Sequence, residues 1–93
     1  MEKEAIEILL EIKEKITNES DLMWTSYDDA KELRDEIDNY VIRIQKSDKS
    51  VFKDIYIHFL PTATFQEHSM QNGWSDRYMQ LAERFDNIYE VNK

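Results

Sequence analysis

The chain has 93 residues, with 20 Asp and Glu against 12 Lys and Arg and a net charge of −8. An apolar share of 41% and an aromatic share of 12% suffice for one hydrophobic core, which argues against disorder and for one domain spanning 1–93. Zero cysteines exclude disulfides, thiolate metal sites and cysteine nucleophiles.

With one glycine, Gly73, and one proline, Pro61, the chain lacks the residues that tight hairpins need at positive φ, so a β-rich fold is not expected. Periodicity points the same way. From Glu2 to about Asn18, Ala5, Ile8, Leu9, Ile12 and Ile16 recur at the spacing of one helical face. Ile6 and Leu10 sit beside that stripe, where they meet a second neighbour or form a dimer contact. Glu7, Glu11 and Glu14 occupy the opposite side.

After the polar break Asn18-Glu19-Ser20-Asp21, Ser26 and Asp29 read as a capping box opening a second helix over about 27–46. Its core stripe is Ala30, Leu33, Ile37, Tyr40, Val41 and Ile44, with Asp28, Glu32 and Asp35 opposite. Trp24 and Tyr27 stand at its entrance.

The loop 47–50 precedes Val51, Phe52, Ile55 and Phe59, which fit a helix over 51–60, although Ile55-Tyr56-Ile57 also suits a strand. An isolated strand would leave backbone groups unpaired, so a short buried helix stopped before Pro61 is expected. Thr64 and Glu67 resemble another capping box for two turns, 65–71, ended by Asn72-Gly73. Ser75 caps a last helix over 76–90, with Tyr78, Leu81, Ala82, Phe85 and Tyr89 on one face. The predicted fold class is all-α, a compact antiparallel bundle of four main helices plus one short helix.

The charge is segregated. Residues 1–38 hold 13 acids and 5 bases, and residues 39–93 hold 7 of each. Such a face is either solvated for solubility or steers a basic partner, and the segregation favours steering. Direct nucleic-acid binding is not expected, because the one basic cluster, Arg43, Lys46, Lys49 and Lys53, is interrupted by Asp48.

Signals for chemistry are weak. Asp54 and His58 are spaced to pair on a helix, and His58 with His68 could join acids around a metal, yet no His-Glu-x-x-His spacing occurs. One glycine cannot build a phosphate loop, and carboxylates on outer helix faces should titrate normally. No enzyme activity, cofactor or metal site is expected. Trp74 either plugs the end of the bundle or belongs to a second interface with Ile6 and Leu10. No apolar run approaches the roughly 18 residues of a membrane span. Met1-Glu2-Lys3-Glu4 lacks a signal-peptide layout, so a cytoplasmic protein with no membrane partner is expected.

Leu60-Pro61-Thr62, Gln66-Glu67, Gly73-Trp74 and the run from Leu81 to Asp86 resemble the C-terminal half of small bacterial proteins of the immunity type, which accompany secreted toxins. In size, acidity and helix count the chain is also similar to the immunity proteins of nuclease colicins. That family binds its toxin through an acidic second helix and a tyrosine pair just before a proline on the third. Here Phe59-Leu60-Pro61 stands in that place without the tyrosine pair, so only the plan carries over. The resemblance implies an inhibitor that covers the basic surface of a toxin and performs no chemistry. Glu7, Glu11, Glu14, Asp28, Glu32 and Asp35 would steer the partner, and Trp24 and Tyr27 would anchor it. The rival expectation is a structural or regulatory helical module that forms a homodimer through Ile6 and Leu10.

Overall fold

The computed structural model describes every residue except Met1, Asp21, Met23, Trp24, Ser26, Thr62 and Lys93, and it describes Asn92 by its backbone alone. Five helices follow one another: α1 Glu2–Lys15, α2 Ala30–Gln45, α3 Val51–Ile57, α4 Thr64–Asn72 and α5 Ser75–Asn92. Among the described residues there is no strand, which settles 51–57 as helix. The radius of gyration, 12.3 Å, is that of a compact chain of this length.

α1 packs on α2 and α5, α2 on α3, and α5 also on α3 and α4. The expected stripes supply most of the core: Ala5, Ile8, Leu9, Ile12 and Ile16 from the α1 side, and Ala30, Leu33, Ile37, Tyr40 and Ile44 from α2, whereas Val41, Ala82 and Tyr89, expected on core faces, are only partly buried against it. Val51, Phe52, Ile55 and Phe59 close it from the α3 side, with Phe65, Tyr78, Leu81, Phe85 and Ile88 from α4 and α5. Aromatic rings hold the α3–α5 seam. Phe59 stacks on Phe85 at 4.8 Å between centroids and meets Phe65 edge-on at 5.0 Å. α1 also complements its own dipole, with Glu2 and Glu4 in the first turn and Lys13 and Lys15 in the last.

Several helix ends differ from the expected ones; α1 stops at Lys15 rather than near Asn18, and α5 runs on to Asn92 rather than 90. α2 begins at Ala30, not near 27, because Asp29 is itself the cap, its Oδ1 accepting the Glu32 N–H at 2.7 Å. Ser26, the other half of the expected capping box, lies outside the described residues, as does Thr62. α3 ends at Ile57, three residues short of the expected 60, and His58 follows as its C-cap. At α4 the cap position is Ala63 without a side-chain bond, so Thr64 does not form the expected capping box. Ser75 is the first residue of α5 rather than a residue before it.

The stop after α4 is the expected one. Gly73 adopts φ +79°, and the Trp74 N–H reaches back to the Ser69 carbonyl at 3.0 Å. The stop after α2 uses the same geometry without glycine: Ser47 adopts φ +61°, and the Asp48 N–H bonds the Arg43 carbonyl at 3.0 Å.

Candidate functional site

The acids of the first two helices divide into two groups. On α1, Glu11 takes a fork from Arg77 of α5, with Nη2 donating to Oε1 at 2.7 Å. Arg84, two turns further along α5, lies 3.3 Å from Glu4 and 3.9 Å from Glu7. The Arg77 guanidinium holds the Glu11 carboxyl below its ordinary range. This corrects the expectation that all the acids of the first two helices titrate normally on an outer face. The count along the chain stands, but two bases of its second half, Arg77 and Arg84, pair with acids of the first.

The acids at the entrance to α2 face solvent instead. Asp28, Glu32 and Asp35 are exposed. Among the described residues the ion pair on these three is local, Lys31 with Asp35 at 2.6 Å. Because α2 starts at Ala30, Tyr27 and Asp28 precede the helix and line the α1–α2 loop. There they border a cleft of ≈ 740 Å³ shared with Leu22, Thr25 and Lys31. The loop is braced from below. Thr25 Oγ1 donates to the Leu22 carbonyl at 2.9 Å, and the Tyr27 N–H donates to Thr25 Oγ1 at 3.2 Å. Trp24, the other expected anchor, lies outside the described residues.

A tie from α2 to the end of α1 fixes the relation of the two helices. Lys13 meets Asp38 at 2.7 Å, and Arg34 donates to the Ile16 carbonyl at 3.1 Å and to Asn18 Oδ1 at 3.2 Å. Beside it runs a groove of ≈ 640 Å³ that contains both Leu10 and Glu14. Leu10 is 43% exposed. Ile6, its expected companion, is partly buried against the core.

Trp74 is 8% exposed and lies between α4 and α5. Its indole N–H donates to His68 Nδ1 at 3.0 Å, and its ring meets Tyr78 edge-on. This is the placement of a plug at the end of the bundle, and it leaves the ring little surface to offer a second interface.

The residues weighed for catalysis have other partners. Asp54 pairs with Arg43 at 2.8 Å, and Arg43 also binds Asp48 at 2.8 Å. His58, beyond the end of α3, bonds Tyr40 through Nε2 at 2.7 Å and Thr64 through Nδ1 at 3.0 Å. Among the described residues no three His, Asp or Glu side chains gather as a metal site would require. None of their helices is long and apolar enough to cross a membrane.

The Tyr40–His58–Thr64 junction is the feature that sequence reasoning missed. Tyr40 was legible only as core and Thr64 only as a cap. Burial, helped by the neighbouring Glu36, pushes the Tyr40 phenol well above its ordinary value.

Comparison with protein-family models, with curated proteins and with solved structures returns no match to this chain.

Proposed function

We propose that the chain is a protein-binding module that neutralises a bacterial toxin by covering a basic surface, in the cytoplasm and without chemistry of its own. The observation that carries this reading is the entrance to α2: three exposed carboxylates, Asp28, Glu32 and Asp35, next to a cleft edged by Tyr27. Carboxylates so placed attract a basic protein over a Debye length, and an aromatic edge beside them offers area to bury on contact. Glu14, exposed at the far end of α1, extends the same potential, whereas Glu7 and Glu11 face the α5 arginines and contribute less. Part of the support is the plan inferred from the sequence: one domain, an antiparallel bundle of four main helices and one short one, similar to nuclease-colicin immunity proteins.

The test is capture of partners from the source cells at low and at high salt. A single basic protein, held at low salt in near-equal amount and released at high salt, is the expected result. Recovery of the bait alone, from cells shown to express a candidate toxin, would sink the reading.

The exposed Leu10 favours a second reading, a self-associating helical module. Sedimentation decides it: a dimer abolished by Leu10→Glu supports self-association, and a monomer at all concentrations removes it.

A further inference from the structure

Asn72-Gly73 is the one asparagine–glycine pair of the chain; Asn18, Asn39, Asn87 and Asn92 precede Glu, Tyr, Ile and Lys. The pair closes α4. Gly73 is exposed at φ +79°, and nothing lies within 4 Å of where a Cβ would stand. Hydrogen bonds hold the turn shut. The Asn72 side-chain amide donates to the His68 carbonyl at 2.9 Å. The Gly73 N–H donates to the Ser69 carbonyl, which also accepts from the Trp74 N–H at 3.0 Å. Phe65, His68 and Ser69 anchor α4 in the core, whereas Met70, Gln71 and Gly73 are exposed and Asn72 is half-buried. The last turn can therefore fray while the rest of the helix stays packed.

We propose that Asn72 is a site of covalent self-modification: it deamidates through a succinimide formed with Gly73, a reaction closed by the last turn of α4 and opened when that turn frays.

The reaction needs only water and its hydroxide. The Gly73 nitrogen gives its proton to hydroxide and attacks Asn72 Cγ, forming the N–Cγ bond. The Cγ–Nδ2 bond breaks, and the amide nitrogen leaves as ammonia with a proton from water. Water then adds to either carbonyl of the ring and opens it to aspartate or isoaspartate. Glycine favours this step because a following residue without Cβ lets its backbone nitrogen approach closely. In the closed turn neither end of the new bond is presented. The Gly73 proton is shared with Ser69, and the Asn72 amide is turned back along the helix to His68.

The product cannot rebuild the same turn. A carboxylate at 72 loses the donor to His68 and puts negative charge at a helix C-terminus, where the dipole disfavours it. Isoaspartate also lengthens the backbone between Ser69 and Trp74, which disturbs the bond that seats the Trp74 plug. The site does not depend on what the acidic face binds.

The test incubates the chain at about pH 7.5 and about 37 °C over a series of urea concentrations and reads conversion at each asparagine by peptide mapping and mass spectrometry. In the unfolded chain Asn72 should convert roughly tenfold or more faster than Asn18, Asn39 or Asn87. Gly73→Ala, measured in that same unfolded state where its φ carries no strain, should slow Asn72 by a similar factor. In the native chain Asn72 should convert roughly tenfold or more slowly than in the unfolded one. Its native rate should nonetheless exceed the unfolded rate multiplied by the unfolded fraction, and stay nearly flat in urea below the midpoint, because fraying exposes little surface. An Asn72 no faster than the other asparagines once unfolded would overturn the site. Equal native and unfolded rates would overturn the guard, and a native rate that follows the unfolded fraction would overturn opening by fraying.

Discussion

The acids of α1 and those at the entrance to α2 belong to the same charge-rich stretch of sequence and meet opposite fates. Glu4, Glu7 and Glu11 lie against Arg77 and Arg84, so their charge is answered inside the fold. Asp28, Glu32 and Asp35 are exposed, and among the described residues the ion pair on them is the local one from Lys31 to Asp35. The lesson is that charge counted along a chain is not charge presented to a partner. A helix placed against α5 presents less of its formal charge than one that borders a loop cleft.

The largest effect should come from reversing the outward group. Asp28→Lys, Glu32→Lys and Asp35→Lys together should slow association with a basic partner by about tenfold or more at low salt and flatten its salt dependence. Stopped-flow kinetics at two ionic strengths would measure this, and an unchanged rate would remove the distinction between the two groups. Asp29 is left intact in that variant because its role differs. Its side chain caps α2, so Asp29→Ala should cost about 1 kcal/mol in urea unfolding while changing the association rate far less than the triple reversal. A comparable loss of rate in Asp29→Ala would mean that the order of the α2 entrance, rather than its charge, governs capture.

Much of the fold was legible because its cause is local. The five residues of the α1 stripe and the four of the α3 segment, read at helical spacing, are all buried. Asn72-Gly73 announced a left-handed stop because glycine takes positive φ at little cost, and Gly73 does so. Ser47 performs the same turn with no such signature, since serine is common in every kind of loop.

The site was less legible, and the reason is sequence distance. The spacing of Asp54 and His58 implies a pair only if the helix continues through both, and α3 ends at Ile57. Once it ends, His58 turns to residues 18 positions before it and 6 after it. Glu11 and Arg77 are 66 residues apart, and only the packing of α1 on α5 brings them together. The same separation hid the neutralisation of the α1 acids from a count made half by half.

The smallest effect, and the finest test of the comparison, concerns that pair. The Glu11 pKa is held below its ordinary 4.5, first by the Arg77 hydrogen bond. Its contribution to stability is therefore complete above about pH 4.5 and is lost as pH falls through the folded value, where protonation dissolves the fork. Glu11→Gln should lower stability near neutral pH and remove part of the acid-side slope, as followed by urea unfolding from about pH 6 to about pH 3. Arg77→Gln should remove the same part of the slope, and the double variant should remove no more than either alone, because the two side chains form one interaction. Solvent still reaches the pair, which keeps the change modest. Glu11→Gln should also leave association with a basic partner within about twofold, since the charge it deletes is already answered by Arg77. A loss of rate approaching that of the α2 reversal would show that the potential of α1 reaches the partner despite the arginines, and the two groups of acids would then have to be treated as one face.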